Sequence, residues 1–272
     1  MNSRKGITMN NRYTFEQLVA IMRKLRAPGG CPWDAEQTHE SLTRYLLEET
    51  YEVIEAIDEK SPTHLKEELG DLLLQPVFHA AIAEEAGDFT VDDVITTLCD
   101  KLIRRHPHVF GDLEIKDSAQ QVENWEKIKK QEKGSERPSA LSGVPAHLPA
   151  LLKAHKIGEK ASRVGFDWEH VDQVFAKVME ELHEFEEAWA EGVASRMEDE
   201  LGDLLFAIAN LGRFLSLNPE EALRKTIVRF QKRFSYVENE LHRQGVALQN
   251  ATLEEMDELW NRAKRAESNN II

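Results

Sequence analysis

Residues 180–207 read EELHEFEEAWAEGVASRMEDELGDLLFA, and 132 positions earlier residues 48–75 read EETYEVIEAIDEKSPTHLKEELGDLLLQ. In both stretches the large apolar residues recur at intervals of three and four. The positions between are filled by Glu, Ala, Leu and Lys, all strong helix formers. Each stretch therefore predicts two helices in succession. The break in the first is marked by Ser61-Pro62, a capping residue ahead of proline at the first helical position. Working outward, Asn218-Pro219-Glu220-Glu221 opens another helix in the same way, and Thr252 with Glu255 reads as a capping box before a final one. Alternating β-type runs are missing, and the fold class is all-α.

The 272 residues are long enough for two domains of ordinary size. Residues 131–149 (QEKGSERPSALSGVPAHLP) are rich in Gly, Pro and Ser and interrupt the periodicity. They read as a linker between a first domain at 10–130 and a second at 150–267. The hydrophobic share of 41% suits packed cores. No apolar run approaches the length of a membrane span, and the first ten residues lack the apolar centre of a signal peptide. Met9 offers an alternative start. Two cysteines, Cys31 and Cys99, cannot make a disulfide framework, which points to a reducing, cytoplasmic setting. A net charge of −15 without a long Lys/Arg run argues against duplex nucleic acid as a partner.

The repeat carries the chemistry. Glu181, Glu184, Glu200 and Asp203 in the second copy correspond to Glu49, Glu52, Glu68 and Asp71 in the first, each pair separated by 132. On a helical projection Phe175, Val178, Leu182, Phe185 and Trp189 form one stripe, with Glu181 about 40° from Phe185 and Glu184 about 60° further round. Met197, Leu201, Leu204, Leu205, Ile208 and Leu211 form the next stripe, bordered by Glu200 and Asp203. A lone acidic helix face is ordinarily solvated. Two antiparallel helices that each present two acids beside the buried face would instead bring four carboxylates together. Such a group needs a cation, and oxygen-only ligation suits Mg²⁺, with Mn²⁺ as a substitute. A di-iron reading needs Glu-x-x-His on two helices; Glu180-x-x-His183 is matched in the repeat only by Glu48-x-x-Tyr51.

Basic residues follow each acidic block. Arg229 and Arg233 stand one turn apart beside a stripe of Leu223, Ile227, Phe230, Phe234, Val237 and Leu241. Lys101 and Arg105 occupy the matching place in the first half. Trp260 and Lys264, also one turn apart, lie on the last helix. Guanidinium groups pair bidentately with phosphate, and Trp can stack on a base or pack in a core. There is no Gly-rich phosphate loop. His106 and His108, flanking Pro107, read as turn contacts.

With CPWD at 31–34, RRHPHVF at 104–110, LPALLKAHKIGEKASRVGFDW at 148–168 and the two acidic blocks, the chain resembles the tandem-domain MazG nucleoside triphosphate pyrophosphohydrolases from about Phe15 to Lys264. The resemblance implies two MazG-type helical domains, a homodimer with four-helix-bundle-like assemblies, and Mg²⁺-dependent cleavage of NTPs and dNTPs to monophosphate and pyrophosphate. It also implies that Glu181, Glu184, Glu200 and Asp203 are catalytic metal ligands, that Arg229 and Arg233 contact phosphates, and that Trp260 and Lys264 complete the nucleotide site. Glu49, Glu52, Glu68, Asp71, Lys101 and Arg105 would form a second site. The second half is expected to work because it alone is followed by a Trp/Lys helix, that of Trp260 and Lys264, and because the resemblance favours it. The alternatives are a house-cleaning enzyme for non-standard nucleotides and a helical dimer that binds nucleotides without turnover.

Overall fold

Gly192, with φ +72°, ends one long helix, and only Val193 separates it from the start of the next. A side chain resists that left-handed backbone, and glycine allows the sharp reversal. This reversal folds the two acid-bearing helices of the second half against each other. In the computed structural model, which describes residues 12–132 and 139–268, every regular element is helical. Met9 lies outside the described residues, as does part of the expected linker.

The chain divides into two compact units, 1–133 and 134–272. The first holds α1 (Phe15–Arg26), α2 (Pro32–Glu36), α3 (His39–Asp58), α4 (Pro62–Ala86), α5 (Val91–Arg105), α6 (Pro107–Phe110) and α7 (Ser118–Glu132). The second holds α8 (Ala150–Ser162), α9 (Val171–Glu191), α10 (Ala194–Phe214), α11 (Pro219–Arg243) and α12 (Leu253–Ser268), with a 3-10 turn at Leu248–Asn250. Because α7 runs on to Glu132, the expected linker's first two positions are helical.

The caps read from sequence are formed. Ser61 Oγ accepts from the His64 amide, Asn218 Oδ1 from the Glu221 amide, and Thr252 and Glu255 cap each other reciprocally. The two units share one plan. A helical hairpin, α3 with α4 or α9 with α10, is backed by α1 on α4 or α8 on α10. It leads to α5 with α7, or to α11 with α12. The helices α4 and α10 differ in length, at 25 and 21 residues.

In the first unit Val19 and Met22 of α1, Leu42 of α3, Val77 and Phe78 of α4, and Val91 at the start of α5 form the core. In the second, Val237, Leu241 and Leu259 join α11 to α12, while small residues allow close approach elsewhere. A methyl at Gly158 of α8 would meet Asn210 Oδ1 at 2.8 Å.

The expected stripes are partly corrected. On α9 the buried line is Val174, Glu181 and Ala188, whereas Phe175, Leu182 and Trp189 are exposed, Trp189 by 70%. On α10 the buried residues are Ala207, Ala209 and Asn210, while Leu201, Leu205 and Ile208 are exposed. On α11 Val237 and Leu241 are buried but Leu223, Ile227 and Phe230 are not. The long helices carry two apolar faces, and small residues serve the one that packs inside the chain. Among the described residues no helix is long and apolar enough to cross a membrane.

Candidate metal and nucleotide site

Glu181 is 6% exposed and stands in the line that α9 turns toward its hairpin partner. Burying a carboxylate is costly unless a cation or hydrogen bonds compensate. Lys177, one turn earlier, puts its Nζ 2.7 Å from Glu181 and 2.7 Å from Glu180. Ligand oxygens of Glu181, Glu200 and Asp203 lie within 4.8 Å of one another, and so do those of Glu180, Glu181 and Glu184. Glu181 is thus common to two carboxylate triplets, one spanning the hairpin and one along α9. Glu184 belongs to the same field: burial first, then the negative charges of Glu181 and Glu200, push its carboxyl above the usual range. The four acids singled out in sequence are brought together. Exposed Glu180 joins them at the rim.

On α10, Arg196 reaches Glu200 at 3.7 Å and Glu187 at 3.9 Å, and also pairs with Glu191. Neither Lys177 nor Arg196 was singled out from sequence. Their signal is spacing: each sits four residues ahead of a buried or half-buried acid on its own helix.

The first half builds its counterpart from Glu49, Glu52 and Glu68, whose ligand oxygens again lie within 4.8 Å of one another. Asp71 is exposed and outside that triplet, but its charge helps hold Glu49 and Glu68 above the ordinary carboxylate range, with burial the larger cause for both. In place of Arg196 this half has His64, whose Nε2 is 3.1 Å from Glu68 and whose Nδ1 is 2.8 Å from Glu59. The bond to Glu59 is the main reason the imidazole titrates above its usual value. In place of Lys177 it has Tyr45.

Oxygen-only groups of this kind fit a hard divalent cation and offer no thiolate or imidazole set for zinc.

The basic and aromatic residues form a separate group on α11 and α12. Arg233 Nε and Nη2 both donate to Glu267 Oε2, at 2.8 and 2.7 Å, and its guanidinium lies 5.7 Å from the centre of the Trp260 ring. Trp260 also packs on Phe230, ring centres 4.9 Å apart. Arg229 donates to Thr226 Oγ1 at 2.8 Å. Lys264 follows Trp260 by one turn and is exposed.

The first half repeats this arrangement, which overturns the expectation that a Trp/Lys helix follows only the second. Arg105 lies 5.3 Å from the centre of the Trp125 ring and donates to Glu132 through Nε at 3.0 Å and Nη2 at 2.5 Å. Arg104 Nε donates to the same carboxylate at 2.6 Å. Together these bonds hold the Glu132 carboxyl down to about 2. Trp125-x₃-Lys129-x₂-Glu132 and Trp260-x₃-Lys264-x₂-Glu267 are the same pattern 135 residues apart. That interval differs from the 132 of the acids, so the two modules do not fall into one register with the repeat. His106 behaves as a turn contact, its Nδ1 2.6 Å from the Leu102 carbonyl oxygen and its ring against Trp125.

Comparison with known proteins places these features in a wider setting. The family model of the MazG nucleotide pyrophosphohydrolase domain matches residues 37–110 and again 170–237, the acid hairpin and following helix of each half. The chain is 52% identical over 250 residues to the nucleoside triphosphate pyrophosphohydrolase/pyrophosphatase MazG of Thermotoga maritima, covering 92% of this chain and 95% of that protein. It is 43% identical over 256 residues to the nucleoside triphosphate pyrophosphohydrolase of Escherichia coli K12, covering 93% and 97% respectively.

Proposed function

The chain belongs to the MazG nucleotide pyrophosphohydrolase family, and on that premise we propose that its second half hydrolyses NTPs and dNTPs between the α- and β-phosphates. The products are a monophosphate and pyrophosphate. The observation that carries this reading is Glu181, a buried carboxylate shared by two triplets of acids whose mutual repulsion calls for a cation.

Glu181, Glu184, Glu200 and Asp203 would hold Mg²⁺, with Mn²⁺ a substitute. When bound, the ion supplies neutralising charge for the triphosphate and polarises the attacking water. One of the glutamates accepts that water's proton as it attacks the α-phosphorus and the bond to the bridging oxygen breaks. Arg229 and Arg233 meet the charge developing on the departing pyrophosphate, while Trp260 offers its face to the base and Lys264 adds a further positive charge. No side-chain nucleophile is required.

The arginines stand on α11, apart from the acids on α9 and α10, and their bonds within one chain go to Thr226 and Glu267. We take the working unit to be a homodimer. Phe175, Leu182 and Trp189 on α9, Leu201 and Leu205 on α10 and Ile227 on α11 are all exposed large apolar side chains. Apolar faces of this kind mark association surfaces, and a second copy would close them into the four-helix assemblies that the sequence suggests. Cys31 and Cys99 are both free thiols, as suits a reducing cytoplasm.

The first half supports a second nucleotide site. Glu49, Glu52, Glu68 and Asp71 would be accompanied there by Lys101 and Arg105, and by Trp125 and Lys129.

The test is turnover of each common NTP and dNTP with and without Mg²⁺, reading pyrophosphate and nucleoside monophosphate separately. Metal-dependent release of pyrophosphate is expected. Orthophosphate and a diphosphate as the products would overturn the assigned cleavage position.

A further inference from the structure

Glu267 stands on α12 seven residues after Trp260, and Glu132 stands on α7 seven residues after Trp125. Both are held in one way. Each carboxylate is bonded to the arginine whose guanidinium also faces the tryptophan of its own helix, Arg233 with Trp260 and Arg105 with Trp125.

We propose that Glu267 is an internal occupant of the phosphate-binding arginine, a carboxylate that holds Arg233 until a nucleotide's phosphate displaces it. The inference rests on the phosphate role given to Arg233 above. A carboxylate and a phosphate present the same pair of acceptor oxygens to a guanidinium, so they compete for the same donors. Glu267 meets both Arg233 donors with a single oxygen, a weaker grip than the two-oxygen fork. A triphosphate carrying more charge can take its place. Released from Arg233, this part of α12 loses a tie to α11 and loosens. In the first half Glu132 is shared by Arg104 and Arg105 and uses both oxygens, a firmer hold that a nucleotide displaces less readily.

The experiment uses the full chain with Mg²⁺. Glu267→Gln should lower KM for ATP about 3- to 10-fold while kcat stays within about twofold, and Arg233→Ala should raise KM. In the unaltered protein, amide exchange over residues 262–268 should quicken when a non-hydrolysable ATP analogue is added. That measurement stands even if a variant folds poorly. A rise in KM for Glu267→Gln, or slower exchange on binding, would make Glu267 a positioning residue and overturn the proposal. If Arg233→Ala leaves KM unchanged, the phosphate role of Arg233 falls as well. In an Asp203→Ala background, Glu132→Gln should tighten binding of the same analogue by the first half more than tenfold. No gain there would overturn the idea of a firmer hold.

Discussion

The two halves carry the same acids at the same spacing, yet they surround them differently. Around the second-half group stand Lys177 and Arg196, which stay charged throughout the physiological range. The first half has Tyr45 and His64 at those positions, a phenol and an imidazole. The second-half acids are thus flanked by permanent positive charge, able to steady an anionic substrate as well as the acids. The first-half acids depend on a proton. At α7 and α12 the contrast continues: one carboxylate is held by two arginines and the other by one. A duplicated motif can therefore keep its acids while the residues one turn away diverge.

Four measurements would break or sharpen this contrast. The largest effect is expected at the acids. Asp203→Ala or Glu184→Ala should cut metal-dependent turnover on the order of 100-fold or more, while Asp71→Ala or Glu52→Ala should cost less than about threefold. The reverse ranking would move the working site to the first half. Next, Trp260→Ala should raise KM about tenfold through lost stacking, and Trp125→Ala should leave steady-state turnover nearly unchanged. Equal losses would mean that both platforms serve the same reaction.

Exchanging the flanking residues is a milder change. Arg196→His should weaken substrate affinity about 2- to 5-fold and make it pH-dependent near neutrality. If the pH profile stays flat, the permanent charge at Arg196 is not what separates the halves. The smallest effect concerns the metal-free protein. Glu49, Glu68 and Glu184 titrate above the ordinary carboxylate range when folded, so their contribution to stability is fully present below the unfolded pKa. It is lost as pH rises through the folded value. His64, also raised, acts with the same sign at higher pH. Glu132, lowered to about 2, loses its contribution only as pH falls toward that value, below the window tested. The metal-free chain should therefore melt a few degrees higher at pH 5 than at pH 7.5, and Mg²⁺ should raise the melting temperature more at pH 7.5. A scan in EDTA and in Mg²⁺ reads both.

Much of this was legible in the sequence. The helical class, the caps at Ser61 and Asn218 and the four acids of each half all follow from local spacing, and local spacing survives folding. The choice of buried face did not follow. Phe175, Leu182 and Trp189 have the bulk of core residues, yet Val174 and Ala188 take the inner line, because two long helices approach closely only over small side chains. Glu181, about 40° from Phe185 in projection, is central in the structure. The module of Trp125, Lys129 and Glu132 escaped because its interval from the second copy departs from that of the acids. Lys177 and Arg196 stand one turn before Glu181 and Glu200 on their own helices, a spacing that ordinary surface ion pairs share.

The unequal lengths of α4 and α10 have a geometric consequence. A difference of four residues is close to one full helical repeat, so the chain leaves both helices facing nearly the same way, after a path about 6 Å shorter in the second copy. Insertions of two residues would have swung the next helix to the opposite side. The arginines sit equally far into α5 and α11, Arg105 and Arg233 each 14 residues past the first. The acids do not keep pace: Asp71 precedes the end of α4 by 15 residues, Asp203 the end of α10 by 11. The two copies are therefore rulers of different graduation, and a molecule that reaches from the acids to the guanidinium in one will be about a turn out of step in the other.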